Sequence, residues 1–105
     1  MKSKSKYGNK KVVIDGIKFD SKREAQRYGA LQLMLKAGLI SNLRMQVPYQ
    51  IVINGKKCFK YLADFVYDDG GKEIIEDVKG FRTPLYRLKK KIVEAWFGVV
   101  IMEVK

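Results

Sequence analysis

The chain has 105 residues, with 22 Lys and Arg against 11 Asp and Glu, so its formal net charge is +11. That length suits one domain and leaves no room for a second, and the charge favours a polyanionic partner, nucleic acid above all. Because there is no histidine and one cysteine, Ser-His and Cys-His catalysis, an internal disulfide and a Cys/His zinc cluster are excluded. No apolar run is long enough to cross a bilayer, and no apolar signal segment follows the basic start. We therefore expect a cytoplasmic protein without a membrane partner.

The first ten residues differ from the rest of the chain, because they carry lysines and no acid. This composition predicts a flexible basic tail at 1–10 and a single folded domain at 11–105. Asp15-Gly16, between two short apolar segments, predicts a β-hairpin, since glycine accepts the positive φ that a tight turn requires. Ser21 as N-cap, with Glu24 three residues later, begins a helix that ends before Gly38.

Three strands, a second helix and a last strand are predicted in the remainder. Asn54-Gly55 and the turn at 68–71 separate the three strands, while Thr83-Pro84 begins the helix and Gly98 ends it. The predicted bounds are 43–53, 57–67 and 72–78 for the strands, about 83–97 for the helix and 99–104 for the last strand. This order predicts an α+β domain, α/β sandwich-like, with a mixed central sheet and one helix on each face.

Two neighbouring predicted strands carry acids near their ends. Side chains alternate along a strand, so Asp77 and Lys79 share a face. The turn at 68–71 makes the two strands antiparallel neighbours, so Asp64 can meet Asp77 with Lys79 beside them. Two adjacent carboxylates repel unless a cation lies between them, and Mg²⁺ prefers such oxygen ligands. We expect Asp77 and Lys79 at the solvent-facing end of their strand; an ordinary exposed charge pair is the alternative.

An acid two residues before a lysine is not specific by itself, since the chain contains this spacing at 20–22, 77–79 and 103–105. The first copy coincides with a helix start, and we interpret the last, which begins at Glu103, as a solvated strand end. Only the middle copy has an acid on the preceding strand, a tight turn between the strands and a glycine directly after the lysine.

Each predicted helix carries one charged residue on an apolar face. Glu24 lies on the same stripe as Tyr28 and Leu31 and points toward the core, although a capping box with Ser21 would also account for it. Lys89 falls within the apolar arc of the second helix, where a lysine either snorkels to solvent or contacts a phosphate. The apolar members of that arc are Leu85, Tyr86, Leu88, Ile92, Val93, Ala95, Trp96 and Phe97.

Several motifs together resemble one nuclease superfamily. They are Gly16-Ile-Lys-Phe-Asp-Ser-Lys-Arg-Glu24-Ala, a Gln after the first helix, Ala63-Asp64-Phe, Glu76-Asp-Val-Lys79-Gly80 and Arg82-Thr83. Over about residues 8–104 the chain resembles the PD-(D/E)XK nucleases, and more closely the small phage and prophage nucleases of the Holliday-junction-resolvase-like group. Ala63 stands where the superfamily has the proline that names it.

The resemblance implies a restriction-endonuclease-like core of helix, three-strand meander, helix and strand. It implies that Glu24, Asp64 and Asp77 bind or orient the metal. Lys79 would position the attacking water or stabilise developing charge, with Gln46 near the site and Lys89 in support.

The activity so implied is a Mg²⁺-dependent DNA endonuclease, with Mn²⁺ as a substitute, in a phage or prophage setting. A body this small has little surface for reading bases, so we expect structure-selective cutting of branched or junction DNA, or weakly sequence-specific cutting. A two-fold homodimer would be the economical source of two incisions. The alternative is a non-catalytic basic module that binds nucleic acid in a phage or nucleoprotein assembly. The residues predicted to bind DNA phosphates are Lys10, Lys11, Arg82, Arg87, Lys90 and Lys91.

Overall fold

The structure is a computed structural model that describes residues 11–79 and 81–105. The predicted tail at 1–10 lies outside the described residues. The elements are, in order, β1 (Val12–Ile14), β2 (Ile17–Phe19), α1 (Lys22–Lys36), β3 (Ser41–Ile53), β4 (Lys56–Asp69), β5 (Lys72–Val78), α2 (Pro84–Phe97) and β6 (Ile101–Val104). The predicted α+β class and the predicted order of elements are confirmed.

The helices begin and end where their capping residues predict. The Glu24 N–H donates to the Ser21 hydroxyl at 3.1 Å at the start of α1, and the Tyr86 N–H donates to the Thr83 hydroxyl at 3.0 Å at the start of α2. Gly38 and Gly98 follow the two helix ends with φ of 77° and 67°. Glycine takes this left-handed conformation at least cost, which is why each helix stops there.

Four strands form one mixed sheet in the order β3-β4-β5-β6, and among the described residues β1 pairs only with β2, in a separate hairpin. The β3–β4 and β4–β5 pairs are antiparallel, whereas β5–β6 is parallel with α2 as the connection. Ile74 belongs to a core cluster with α1 and the hairpin, and its neighbour Ile75 belongs to a second cluster with Val93 of α2. Adjacent strand residues face opposite ways, so the two helices cover opposite faces of the sheet, as predicted.

The alternation of side chains reverses at one point of the β3–β4 pair. The register is Val47↔Ala63 on one side and Met45↔Phe65 on the other, so Gln46 lies opposite Asp64. Ala63 packs in the α2 cluster and Phe65 in the α1 cluster, although residues two apart in a regular strand share a face. Gln46 has a φ of 52°, which breaks the extended conformation there. This irregularity positions Asp64.

The apolar arc of α2 is only partly covered. Val93 is fully buried, whereas Leu85, Leu88 and Trp96 keep 60%, 54% and 54% of their surface exposed. Hydrogen bonds from the flank of α2 to β6 hold the helix in this orientation, with Val93 rather than the centre of the arc against the sheet. Among the described helices, none combines the length and the apolar character of a transmembrane span.

Candidate active site

Three carboxylates from different elements meet beside the irregularity in β3 and β4. The β4–β5 ladder ends at the pair Phe65↔Glu76. Beyond that pair, the Val78 N–H donates to Asp64 Oδ2 at 2.8 Å, so the side chain of Asp64 replaces a backbone acceptor. After burial, the neighbouring Asp77 and Glu24 raise the pKa of the Asp64 carboxyl, so the structure brings the three predicted carboxylates near one another.

Asp77 is buried, with 1% of its surface exposed. The expectation that it faces solvent at the end of its strand is wrong, because the phenol of Tyr61 covers it and donates to Asp77 Oδ2 at 2.5 Å. The ammonium of Lys79 lies 3.6 Å from Asp77 Oδ1. A buried carboxylate needs such partners, since an uncompensated charge in the interior is costly.

The Lys79 side chain lies between the buried Asp77 and the solvent. Its side chain is 31% exposed, and its Nζ lies 4.6 Å from the centroid of the Tyr86 ring, a distance at which a cation is attracted to the ring face. The Lys79 N–H donates to the Val104 carbonyl at 2.9 Å and so continues the pairing with β6. Both ends of this lysine are thus held.

The two tyrosines beside the cluster remain hydrogen-bond donors. Burial, followed by the hydrogen bond to Asp77, raises the pKa of Tyr61 far above its ordinary value. Burial, followed by the charge of Asp77, likewise raises the pKa of Tyr86. The Tyr86 hydroxyl donates to Glu103 at 3.1 Å. Neither phenol ionises at neutral pH, so both keep the proton that they donate.

Glu24 points toward the core, as its helical stripe predicted, and its backbone forms one half of the predicted capping box. The Ser21 hydroxyl accepts from the Glu24 N–H, while the Glu24 carboxylate accepts from the Gln46 amide at 3.1 Å and from the N–H of Asp20, instead of that of the N-cap Ser21, at 3.3 Å. The side chain is 5% exposed, and burial is the main reason that its pKa is raised. Gln46 therefore lies at the site, as the resemblance implied.

The electrostatics of the cluster disfavour the ionised form of Asp64. Burial, and next the neighbouring Asp77, raise the pKa of Asp64 to about 8. Among residues 11–79 and 81–105, no three Asp, Glu, Cys or His side chains are already arranged as a metal-binding group. The adjacent carboxylates of Asp64 and Asp77 nevertheless form an all-oxygen donor pair that suits a hard divalent cation. The residues present therefore fit Mg²⁺, with two ligands from the chain and Glu24 nearby.

The other predicted residues lie outside the carboxylate cluster. Lys89 is held 5.5 Å above the ring of Phe59 instead of at the site. Lys11 pairs with Asp20 at 3.1 Å. The locations of the remaining cations are as follows: Arg82 and Lys90 pair with Glu103, Arg87 and Lys91 are exposed, and Lys10 is outside the described residues.

Glu103 is not the solvated strand end that we expected. It lies beside Asp77 in the parallel register, and only 21% of its side chain is exposed. It accepts from Arg82 at 3.2 Å, from Tyr86 at 3.1 Å and from Lys90 at 3.1 Å. Sequence spacing could not reveal this role, because it depends on which strand pairs with β5.

A third buried carboxylate holds α1 against the sheet. Glu76 is fully buried, and the guanidinium of Arg27 donates to its two oxygens at 2.8 and 2.6 Å. The Tyr67 hydroxyl also donates to Glu76; burial, and next this bond, raise the pKa of Tyr67 to about 12. Arg27 follows Glu24 by one helical turn and Glu76 precedes Asp77, so this network ties together the two elements that carry the site.

The chain belongs to a family described as a protein of unknown function (DUF1064), whose model matches residues 4–104. Comparisons with curated proteins and with solved structures give no match.

Proposed function

We propose that this member of the DUF1064 family is a Mg²⁺-dependent endonuclease that hydrolyses DNA phosphodiester bonds. The observation that carries the proposal is the meeting of Asp64, Asp77 and Lys79 beside the carboxylate of Glu24. Metal-assisted phosphodiester hydrolysis needs oxygen ligands and a cation near the phosphate, and the cluster offers both. The net charge of +11 supports a polyanionic substrate.

Each side chain has a distinct task in this proposal. In hydrolysis, a water loses a proton as its oxygen forms a bond to phosphorus, the bond to the leaving sugar oxygen breaks, and that oxygen takes up a proton. The ammonium of Lys79 stabilises negative charge as it develops on the phosphoryl oxygens. Tyr61 orients Asp77 by donating to Oδ2, and Gln46 orients Glu24.

Asp64 and Asp77 would hold the metal, with Glu24 as a further ligand or an orienting group. When bound, Mg²⁺ supplies a water of lowered pKa and polarises the phosphoryl group. Its charge would also offset the proximity of the two carboxylates, which is one reason for the raised pKa of Asp64. Mn²⁺ prefers similar oxygen ligands and would substitute.

The rival proposal is a basic module that binds nucleic acid without cutting it. It is supported by the same net charge, and it treats Asp77–Lys79 as an ordinary ion pair. The two proposals differ in what they require of the carboxylates. Only cutting requires carboxylate side chains at Asp64 and Asp77. A homodimer, which would supply two incisions at a junction, also stays a proposal.

The deciding experiment measures cleavage of labelled single-stranded, duplex, flap and four-way-junction DNA with Mg²⁺ and with a chelator. We expect cutting that the chelator abolishes. Asp77→Asn should lose metal-dependent cutting. Lys79→Ala should lower the rate by about 10² to 10³, the cost typical of removing one group that stabilises the transition state.

The matched control is Asp69→Asn with Lys72→Ala. These two residues pair across β4 and β5 at the opposite end of the same ladder and are exposed, so the double variant removes one acid and one lysine from the same sheet, away from the cluster. It should cut at the wild-type rate. Changing Glu103 is unsuitable as a control, because it bonds to Tyr86 and Lys90. Binding of these DNAs by the wild type without any Mg²⁺-dependent cutting would favour the rival module. Cutting that survives in both Asp77→Asn and Lys79→Ala, while both remain folded by circular dichroism, would show that the active site lies elsewhere.

A further inference from the structure

An open cavity lies directly beside the candidate active site. Its volume is about 340 Å³, and it is lined by Lys79, Phe81, Arg82, Arg87, Glu103 and Lys105. Lys79 thus contributes both to the carboxylate cluster and to this cavity. A ligand that reached Lys79 with one phosphate would extend into the cavity with its next part.

The cavity is suited to an anion although it contains Glu103. That carboxylate already accepts from Arg82, Tyr86 and Lys90, so its charge is offset by its own neighbours. Within 11–79 and 81–105, neither Arg87 nor Lys105 has an ion-pair partner. Two unpaired cations therefore remain for a phosphate.

Phe81 is the feature that electrostatics does not explain. It is 77% exposed, at the rim of a cavity whose other lining residues are charged. A lone exposed apolar side chain is ordinary on a protein surface. An aromatic ring beside phosphate-binding cations, however, is the combination with which proteins bind unpaired nucleotides, because each base can stack on the ring.

We propose that this cavity binds a nucleotide whose base is not stacked in a duplex, with its phosphate at Arg87 and Lys105 and its base on Phe81. The inference rests on the proposed function and names its substrate class: DNA with a single-stranded segment next to the phosphate at Lys79. A fully paired duplex keeps its bases stacked inside the helix and cannot use Phe81. The cavity therefore favours frayed ends, flaps and open branch points over continuous duplex.

The test measures binding, with a chelator present so that no cutting can occur. The probes are a fluorescent oligothymidylate of about ten nucleotides and a blunt hairpin duplex, titrated with the full chain. Phe81→Ala and Phe81→Leu should each weaken oligothymidylate binding about tenfold, the lower part of the range for one stacked base, with less than a twofold effect on the duplex. Phe81→Trp should restore binding, because it restores an aromatic face.

Two further variants separate stacking from charge and from exposed apolar surface. Arg87→Gln with Lys105→Gln should weaken both probes, since phosphates are common to both. Leu33→Ala removes an exposed apolar side chain from α1 (70% exposed) and should change neither. Wild-type binding by Phe81→Leu, or an equal loss on both probes in Phe81→Ala, would overturn the stacking role of Phe81. The nuclease proposal could fail in the cleavage assay while this binding pattern holds, so the two failures are distinguishable.

Discussion

Two carboxylates fasten the two helices to the sheet, and they do so in different surroundings. Glu76 of β5 is fully buried and takes the guanidinium of Arg27 from α1. Glu103 of β6 keeps 21% of its side chain exposed and takes Arg82 and Lys90 from the α2 side. Both glutamates accept from cationic and tyrosine donors, although β5 is a central strand and β6 an edge strand. The main difference between them is how deeply they are buried.

The difference in burial determines how easily each ion pair can be broken. A buried ion pair that loses one partner leaves an uncompensated charge in the interior, so Arg27 and Glu76 hold α1 in one place. A partly exposed pair is screened by water and exchanges its partner at little cost. The α1 side therefore keeps Glu24 at the carboxylate cluster, whereas the ion pairs of Glu103 on the α2 side can be exchanged at lower cost.

Of the changes to these two networks, Arg27→Met should lower the stability of the protein most. Glu76 would lose its charged partner while fully buried, and we expect the free energy of unfolding in urea to fall by about 3 to 5 kcal/mol. Glu103→Gln should cost less than about 1 kcal/mol.

The matched rescue replaces the whole buried network with apolar groups, as Arg27→Met, Glu76→Leu and Tyr67→Phe together. This triple variant should recover most of the lost stability, because no unpaired polar group remains. If Arg27→Met costs no more than Glu103→Gln, burial is not what distinguishes the two networks.

Glu103→Gln should also change the affinity for DNA and its dependence on salt. The change frees Arg82 and Lys90 from their carboxylate, so DNA should bind more tightly and the slope of log affinity against log salt should steepen by about one to two. Fluorescence anisotropy in the presence of a chelator gives both quantities. The control is Glu73→Gln, which removes one of the two carboxylates that pair with Arg44 at the far end of β5. An identical gain in both variants would mean that net charge alone is responsible.

The smallest expected effect is a dependence of stability on pH. Burial alone would raise the pKa of Glu103, but the hydrogen bonds from Lys90 and Tyr86 and the charges of Lys90 and Arg82 outweigh it, so the pKa lies below its ordinary 4.5. A lowered pKa contributes stability above the unfolded value, and the contribution is lost as pH falls through the folded value. The melting-temperature difference between wild type and Glu103→Gln should therefore stay constant above the ordinary pKa of 4.5 and shrink as the pH falls below it. A difference that stays constant would show that the pairs do not depend on the ionised carboxylate.

Most of the fold, and the pairing of Asp64 with Asp77, could be predicted from local signals. Turn residues, capping residues and the two periodicities depend on near neighbours in the chain, which is why the element order and the turn before β5 were predicted correctly. The meeting of Asp64 and Asp77 followed from that turn, since an antiparallel hairpin determines which residues are opposite. The burial of Asp77 did not follow, because it depends on Tyr61, and the covering of that face depends on how α2 packs.

The sequence by itself determined the α+β architecture and, to within two residues, the bounds of the helices and strands. Only the tertiary structure decided the rest: that Glu103 lies beside Asp77 in the parallel pair, that Arg27 reaches Glu76, and that Gln46 meets Glu24. The physical reason is separation along the chain. Hydrogen bonds within a helix or a hairpin join near neighbours, whereas these contacts join residues brought together by helix packing and by a parallel strand pairing that no local turn specifies.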